Sequence, residues 1–345
     1  MKILVTGTAG FIGFHLAQRL LDDGHSVVGV DSFTPYYDLA LKERRNALLS
    51  VRNGFQGHRI ALEDRTALEG LWKDQPCDIV IHLAAQAGVR YSLENPRAYI
   101  DSNLVGTFNV MELTRLHAVK HFMLASTSSA YGANEKMPFC ETDRADHQLT
   151  LYAATKKATE NMTHCYAHLW DIPTTAFRFF TVYGPWGRPD MAPVKFLKGI
   201  LDGTPIDVYN HGNMSRDFTY IDDLIEAITR LMALPPQRPE AGALLDPHDS
   251  LSPVAPHRVV NIGGGRPSGL LEFIEELEKA AGKKALRNYL PMQPGDVAGT
   301  FANADLLQKL TGYRPSTSVA QGVQAFAKWY MEYYDKKVRD TLYVL

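Results

Sequence analysis

A glycine-rich turn close to the beginning of the chain constrains the fold more than any other feature. Residues 6–13, TGTAGFIG, follow a short apolar run and precede a stretch with helical spacing. Gly7 permits a tight turn, Gly10 lets the backbone approach a ligand closely, and Gly13 allows close packing of the helix. The free N–H groups at the start of that helix would face a pyrophosphate. The segment therefore predicts a βαβ unit that binds a dinucleotide.

An acidic residue, Asp31, stands at the end of the second apolar run. A carboxylate in this position can accept hydrogen bonds from the adenosine ribose and would repel a 2′-phosphate. A glycine turn alone could be an ordinary loop, but the flanking strand and helix and the acid that follows weaken that interpretation. We therefore predict that the dinucleotide is NAD rather than NADP.

Apolar, strand-like segments recur along the first half of the chain, at 79–83, 121–125 and 175–179, with helical patterns at 105–116 and 152–170. Strands that alternate with helices indicate a doubly wound parallel α/β sheet of the Rossmann type. A chain of 345 residues exceeds the usual size of a single core. We predict a dinucleotide-binding Rossmann domain over residues 1–184 and a smaller α/β substrate-binding lobe over 185–345, some of whose segments return to the first domain.

Composition excludes several classes of partner. The formal net charge is −2, which provides no attraction for nucleic acid or an anionic membrane. The cysteines are too scattered for a metal site, and their odd number suits a reducing compartment better than a disulfide framework; they are Cys77, Cys140 and Cys165. No secretory leader and no apolar run of about 20 residues is present. We therefore predict a cytoplasmic protein without a metal.

Two groups of side chains point to proton-transfer chemistry. Tyr152 and Lys156 are four residues apart in a helical pattern, so the phenol and the ammonium group share one face. A nearby cation favours the phenolate and lowers a tyrosine pKa from its ordinary value of about 10. The strand at 121–125 ends in the hydroxyl residues 126–129, where doubly wound sheets bind ligands. A Tyr/Lys pair alone is often a solvated helix face, and a run of hydroxyl residues alone is often a turn cap. The glycine turn, the hydroxyl run and the Tyr/Lys pair in this order indicate a catalytic site much more specifically than any one of them.

These motifs resemble the extended short-chain dehydrogenase/reductases that modify nucleotide sugars, over essentially the whole chain. The shared segments are TGTAGFIG, HLAAQAGVR (82–90), Asn103 with Gly106 and Thr107, STSSAYG (126–132) and YAATK (152–156). The members most similar to the chain epimerise UDP-glucuronate at C4, and the segments that carry this likeness are AGVRYS (87–92), TVYGPWGRPDM (181–191), RDFTYIDD (216–223), NIG (261–263) and MQPGDV (292–297).

The resemblance implies a mechanism and a cofactor site. Tyr152 would remove the proton from the sugar C4 hydroxyl, Lys156 would hold the nicotinamide ribose and lower the tyrosine pKa, and Thr127 would bridge the same hydroxyl. NAD would take the C4 hydride and return it to the other face of a 4-keto sugar, so it would stay bound as a cofactor. The implied cofactor contacts are Gly7, Gly10, Phe11, Ile12, Gly13, Asp31, Asp64, Leu83, Ala84, Ala85 and Lys156.

The resemblance also implies a substrate site for a UDP-sugar. Arg188 and Thr181 would hold the sugar carboxylate, because a planar guanidinium pairs with it through two hydrogen bonds. Arg216 would contact the pyrophosphate. The other implied contacts are Arg90, Ser128 and Ser129, with Tyr209 and Asp296 at the uridine. A homodimer formed through the helices at 105–116 and 152–170 is the expected assembly.

Departures from related activities narrow the choice of substrate. Dehydratases and decarboxylases of this family resemble the chain but carry carboxyl groups where it has Ser128 and Ser129, so elimination and decarboxylation lack their usual acid. Galactose-type epimerases carry Asn in place of Thr181 and Arg in place of Gln293. Ala61 replaces the aspartate that usually accepts from adenine, which leaves that contact to Asp64 or to the backbone.

Two alternatives remain open from the sequence. A UDP-glucose or UDP-N-acetylglucosamine 4-epimerase would use the same proton-transfer group but would have no substrate carboxylate to pair with Arg188. A catalytically idle, NAD-binding regulator could be built on the same fold, because the fold does not determine the function. The intact set of Tyr152, Lys156 and Thr127 argues against the second alternative.

Overall fold

The computed structural model describes residues 1–293 and 296–334. Its strands are β1 (Lys2–Thr6), β2 (Ser26–Asp31), β3 (Phe55–Arg59), β4 (Ile79–His82), β5 (His121–Thr127), β6 (Thr174–Phe179), β7 (Thr181–Tyr183), β8 (Ile206–Val208), β9 (Ser215–Tyr220), β10 (His257–Ile262), β11 (Pro267–Gly269), β12 (Arg287–Tyr289) and β13 (Gly299–Thr300).

The α-helices are α1 (Phe11–Asp22), α2 (Leu39–Ser50), α3 (Arg65–Asp74), α4 (Tyr91–Glu94), α5 (Pro96–Tyr99), α6 (Gly106–His117), α7 (Leu151–Trp170), α8 (Ala192–Asp202), α9 (Ile221–Met232), α10 (Leu270–Ala281), α11 (Asp305–Thr311) and α12 (Val319–Tyr334). A π-helical segment, Ile100–Val105, leads directly into α6, and short 3₁₀ turns occupy Ser128–Tyr131 and Tyr209–Gly212.

Seven parallel strands form the central sheet in the order β10, β6, β5, β4, β1, β2, β3. The part of this order from β6 to β3 is that of a Rossmann sheet, so the predicted doubly wound parallel α/β fold is confirmed. Strand β1 pairs in parallel with β2 on one side and with β4 on the other; Val5 lies beside both Gly29 and Ile81. The crossover between β3 and β4 passes through α3, as right-handed βαβ units require.

Strands β1, β2, β4 and β5 of this sheet are buried on both faces, which explains why they are largely apolar. The edge strand β3 is polar and mostly exposed after Phe55. Ile3 and Val5 of β1 point to one face and pack in a core with residues of α1 and α9. Leu4 points to the opposite face and packs with residues of α3 and α6. Side chains of successive residues in a strand alternate between faces, so one strand contributes to two cores.

The second lobe has its own small sheets and its own core. Strands β7 and β13 both pair in parallel with β9, β11 pairs antiparallel with β9, and β8 pairs with β12. Aromatic and aliphatic side chains of α8, α10 and α12 fill the core beside them, including Phe196, Phe273 and Phe326. Three segments from this half of the chain, α9, β10 and α11, lie with the seven-stranded sheet instead.

A buried ion pair ties α7 to the sheet. The carboxylate of Glu160 on α7 accepts two hydrogen bonds from the guanidinium of Arg178 on β6, at 2.9 and 2.8 Å, and one from the Ser126 hydroxyl on β5, at 2.6 Å. Burial would raise the pKa of Glu160, but the attraction of Arg178 outweighs it and lowers the pKa from 4.5 to about 2. The pair therefore stabilises the fold fully above about pH 4.5, and this contribution is lost as the pH falls toward 2.

We predict that Glu160→Gln lowers the free energy of unfolding by about 3–5 kcal/mol, because it leaves the buried charge of Arg178 without a partner. Denaturant unfolding followed by circular dichroism measures the change. The matched control is Asp202→Asn, which breaks the exposed pair with Lys198 and should cost less than about 1 kcal/mol. Equal losses in the two variants would contradict the role of the buried pair.

Candidate active site

One large cleft opens where the carboxyl ends of the parallel strands face the second lobe. Its volume is about 1120 Å³, above the range of roughly 300–1000 Å³ that suits a single drug-sized ligand. Residues at the ends of β1, β2, β4 and β5 line it from one side, and residues of β9 and α8 line it from the other. The cleft therefore has room for a dinucleotide together with a second ligand.

The glycine turn forms one end of this cleft. Gly7 has a φ of +82°, which glycine adopts without strain, and a Cβ atom on Gly13 would lie 2.1 Å from the Gly7 carbonyl oxygen. Helix α1 begins at Phe11, and no side chain caps it. The cleft is lined by Gly10, Phe11 and Gly13, so the unpaired N–H groups of the first helical turn lie beside it. This arrangement fits a pyrophosphate.

Asp31 lines the same end of the cleft and also organises the loops around it. Its carboxylate accepts hydrogen bonds from the backbone N–H groups of Ala9, at 3.1 Å, and Phe33, at 2.8 Å. Sequence analysis missed Lys42, which lies beside the cleft and donates to the Thr34 carbonyl oxygen at 2.8 Å. Burial lowers the pKa of Lys42, and the charge of Asp31 opposes that effect.

Asp64 is the one predicted site residue that does not line this cleft. Its carboxylate accepts a hydrogen bond from the backbone N–H of Ala67 at 3.0 Å and so caps α3. Its neighbours Leu62 and Glu63 line the cleft instead. A short acidic side chain at a helix start is typical of an N-cap, and this signal was available from the sequence.

Tyr152, Lys156 and Thr127 meet in the middle of the cleft. Helix α7 begins directly before Tyr152, and the Thr150 hydroxyl caps it by accepting from the backbone N–H of Ala153 at 3.3 Å. The phenol of Tyr152 is hydrogen-bonded to the side chain of Thr127. The structure therefore brings the Tyr152 phenol next to a hydroxyl at the end of β5, and their role in proton transfer stays a prediction.

The ionisation of this group differs from the expectation. Burial raises the pKa of Tyr152, and the hydrogen bond with Thr127 and the charge of Arg188 only partly oppose the increase. Burial also lowers the pKa of Lys156 to about 8. The expectation that Lys156 lowers the tyrosine pKa is therefore wrong for the protein by itself. Desolvation dominates, and the side-chain cation that acts on Tyr152 is Arg188.

Two further residues, Tyr99 and Asn103, hold this group in place, and of these only Asn103 belongs to a motif noted in the sequence. The Tyr99 ring packs edge to face against the Tyr152 ring, with 6.0 Å between centroids, and its hydroxyl donates to the Gly88 carbonyl oxygen at 2.5 Å. The Asn103 amide, in the π-helical segment, donates to the Thr155 hydroxyl at 3.0 Å. These contacts connect α7 to the loop after β4, which is also part of the cleft.

Arg188 lies in the cleft with Thr181, Ser128 and Ser129, as the resemblance implied. It already has an anionic partner, because its Nε and Nη2 atoms donate to the Asp190 carboxylate at 3.1 and 2.5 Å. Sequence analysis missed Asp190, although it belongs to the same GPWGRPDM segment. The neighbouring aspartate raises the pKa of Arg188 against the effect of burial, so this side chain is a permanent cation.

The predicted nucleotide contacts form the far end of the cleft. Arg90 donates to the Asp296 carboxylate at 3.0 Å, and its guanidinium carbon lies 4.9 Å from the centre of the Tyr209 ring. Arg216 lines the same region and donates to the Ser215 carbonyl oxygen at 2.8 Å. Two residues of the MQPGDV segment, 294 and 295, lie outside the described residues.

Among residues 1–293 and 296–334, no three or more histidine, cysteine or acidic side chains are grouped so that they could hold a metal ion. Over the same ranges, no helix is long and apolar enough to cross a membrane.

Comparison with known proteins places this architecture in a family. The model of the NAD dependent epimerase/dehydratase family matches residues 3–244. A probable UDP-glucuronate 4-epimerase of Rhizobium meliloti (strain 1021) is 60% identical over 334 residues, which cover 97% of this chain and 98% of the relative.

Solved structures of two epimerases are also similar to this chain. The UDP-glucuronic acid 4-epimerase of Bacillus cereus, in complex with UDP-glucuronic acid and NAD, superimposes with a TM-score of 0.86 at 34% identity, over 97% of this chain and 100% of that one. The UDP-glucose 4-epimerase of Thermotoga maritima with UDP-glucose has a TM-score of 0.83 at 26% identity, over 97% and 100% of the two chains. The predicted family membership is confirmed: the chain belongs to the NAD dependent epimerase/dehydratase family.

Proposed function

We propose that this chain is an NAD-dependent epimerase that inverts C4 of UDP-glucuronate to give UDP-galacturonate. One observation carries the choice of substrate: the Arg188 guanidinium lines the same cleft as Tyr152 and Thr127. A sugar whose C4 hydroxyl contacts Tyr152 would have its C5 substituent nearby, where Arg188 can pair with a carboxylate. The relative at 60% identity and the Bacillus cereus structure carry the same activity in their names.

NAD fits the end of the cleft formed by the glycine turn. The uncapped start of α1 would bind its pyrophosphate, the Asp31 carboxylate its adenosine ribose, and Lys156 its nicotinamide ribose. Bound NAD would accept the C4 hydrogen as hydride, return it to the opposite face of the sugar, and bring a positive charge near Tyr152. The backbone near Leu62 and Glu63 would receive the adenine in place of Asp64.

Tyr152 would move one proton in each half of the reaction. Its phenolate oxygen would take the proton from the C4 hydroxyl as the sugar is oxidised and give the proton back to O4 as the sugar is reduced. Thr127 shares a hydrogen bond with this phenol, so its hydroxyl would keep the phenol and O4 in line. Because burial raises the pKa of Tyr152, the positive charges around it are what make the phenolate accessible.

Arg188 and the hydroxyl groups beside it would protect the intermediate. A 4-keto glucuronate is a β-keto acid, and it loses carbon dioxide when its carboxylate stands perpendicular to the plane of the ketone. Hydrogen bonds from Arg188, Thr181 and the two serines would hold the carboxylate near that plane. Ser128 and Ser129 carry no carboxyl group, so they supply no general acid for an elimination.

One observation favours a second candidate, a 4-epimerase of neutral UDP-hexoses or UDP-N-acetylhexosamines. The Asp190 carboxylate already pairs with Arg188 through two hydrogen bonds, so the charge of Arg188 is balanced without a substrate carboxylate. On this view Arg188 would have a structural role. The two candidates differ in what the loss of Arg188 does to each substrate.

We also propose that the chain acts as a homodimer. Helices α6 and α7 pack against each other, and their outer surfaces expose apolar side chains that a second copy could cover. These side chains are Phe108, Leu116, Leu169 and Trp170. A cytoplasmic location stays a prediction.

We predict that Tyr152→Phe lowers turnover of UDP-glucuronate by about 10²- to 10⁴-fold, the usual effect of removing a positioned proton-transfer group. The phenylalanine ring keeps the contact with Tyr99, so the variant should still fold and hold NAD. Turnover is followed by NMR of the two epimers, and bound NAD by chromatography of the nucleotide released on denaturation. Tyr166→Phe, on the same helix but outside the cleft, is the control. Turnover like that of the parent would exclude Tyr152 as the base.

We predict that the purified protein releases NAD and no comparable amount of NADP when it is denatured, because the Asp31 carboxylate would repel a 2′-phosphate. Asp31→Asn should reduce this preference. Asp38→Asn is the control, because it removes an exposed negative charge at the start of α2 and leaves the end of β2 intact. Release of mainly NADP from the parent protein would refute the role of Asp31.

We predict that Arg188→Ala lowers the kcat/KM for UDP-glucuronate, because the substrate carboxylate loses its buried partner. The decrease should correspond to about 2–5 kcal/mol of lost transition-state stabilisation. UDP-glucose should be affected far less, and part of the UDP-glucuronate should leave as a UDP-pentose. NMR of the products measures the preference between substrates and the epimer-to-pentose ratio. Arg52→Ala is the control, because Arg52 forms an exposed pair with Asp22. An unchanged preference without pentose would favour the neutral-sugar epimerase instead.

A further inference from the structure

We infer that Asp190, held in place by Tyr36, is a positioning residue that sets the plane of the Arg188 guanidinium and thereby determines whether the oxidised sugar keeps its carboxylate. The inference rests on the proposed function and assigns a task to two residues that neither the sequence motifs nor the proton-transfer group explain. It separates the binding of the carboxylate, which Arg188 performs, from the control of its orientation, which Asp190 performs.

The hydrogen bonds of Arg188 leave one edge of its guanidinium for a ligand. A guanidinium has five N–H groups in a rigid plane. Asp190 accepts from Nε at 3.1 Å and from Nη2 at 2.5 Å, so it binds one edge of that plane through both carboxylate oxygens. The opposite edge, made of Nη1 and the second Nη2 hydrogen, has room for one more carboxylate in the same plane. The side chain is 19% exposed and lines the cleft, so this edge can reach a substrate.

Tyr36 holds Asp190 from across the cleft. Its hydroxyl donates to the Asp190 carboxylate at 3.2 Å, and its ring faces the Arg188 guanidinium carbon at 5.5 Å from the ring centre. The Tyr91 ring packs against it, 4.7 Å away. Burial and the charge of Asp190 raise the pKa of Tyr36 to about 12, so the hydroxyl keeps its proton and stays a donor. Residues from two separate parts of the chain therefore fix one carboxylate.

The chemistry of the intermediate makes this orientation important. When the C5–C6 bond of the 4-keto sugar breaks, carbon dioxide leaves and the electron pair of that bond moves onto the C4 carbonyl oxygen as an enolate. Water then supplies a proton to C5, and the product is a UDP-4-keto-pentose. The bond breaks only when it is aligned with the π system of the ketone, which requires the carboxylate to rotate. A guanidinium that cannot rotate keeps a doubly hydrogen-bonded carboxylate from rotating as well.

Asp190 should also weaken substrate binding. Its carboxylate and that of the substrate would pair with the same guanidinium, and their negative charges repel each other. A residue that merely builds the binding site would improve affinity. A residue that controls orientation can reduce affinity and still improve the fraction of correct product. This opposition gives the inference a signature that a structural role does not share.

The decisive variant is Asp190→Asn, which removes the charge and one of the two hydrogen bonds to Arg188. We expect the KM for UDP-glucuronate to stay the same or fall, while the pentose fraction of the product rises about tenfold, the effect of losing one charge-assisted hydrogen bond. UDP-glucose, which has no carboxylate to lose, should give no pentose with this variant. NMR of the nucleotide sugars, with UDP-pentose and UDP-4-keto-pentose counted together, measures both. Tyr36→Phe should produce a smaller rise.

Two further variants identify the path of the effect. In an Arg188→Ala background, Asp190→Asn should add no further pentose, because Asp190 acts through Arg188. Asp202→Asn, which breaks an exposed pair on α8, should behave like the parent. Additional pentose in the double variant, beyond that of Arg188→Ala alone, would overturn the inference.

The outcomes also separate this inference from the proposed function. A parent enzyme that does not convert UDP-glucuronate would contradict the proposed function and the inference together. A parent that converts it, with an unchanged pentose fraction or a raised KM in Asp190→Asn, would contradict the inference alone.

Discussion

The close approach of α1 to the glycine turn is the constraint on which the rest of the site depends. Because a Cβ atom at Gly13 would lie 2.1 Å from the Gly7 carbonyl oxygen, only glycine lets α1 start at the edge of the sheet. The buried Arg45 extends this constraint to the other side of the cleft: its guanidinium donates to the carbonyl oxygens of Ala9, at 2.9 Å, and Trp186, at 2.5 Å. The dinucleotide turn and the segment that carries Arg188 are thus held by one side chain.

The proton-transfer group depends on a second buried charge. Glu160 follows Lys156 by one helical turn and pairs with Arg178, so α7 is tied to β5 and β6 directly behind the cleft. The same burial that makes this helix rigid raises the pKa of Tyr152 and lowers that of Lys156. A base in such a site depends on nearby positive charge, and here Arg188 is one source of it.

Arg188 therefore links substrate choice to proton transfer. Its charge acts on Tyr152, its side chain lines the cleft, and the Asp190 carboxylate balances its charge. A buried guanidinium without an anionic partner would destabilise the folded protein. The hydrogen-bonded Asp190 carboxylate offsets this desolvation penalty and keeps the guanidinium in one plane. A neutral sugar offers no negative charge to Arg188, which already pairs with Asp190. A substrate carboxylate can accept hydrogen bonds from the guanidinium N–H groups that Asp190 does not use.

The sequence by itself determined the parallel sheet, the dinucleotide turn, Asp31 and the Tyr152–Lys156 pair, because each of these is encoded in local periodicity or in the spacing of a few neighbouring residues. It did not determine how ions pair across the cleft. The pKa of Tyr152 rises, and Asp190, which accepts a hydrogen bond from Tyr36, pairs with Arg188. These facts depend on burial and on contacts between distant segments, and only the tertiary structure decides which charges share a desolvated space.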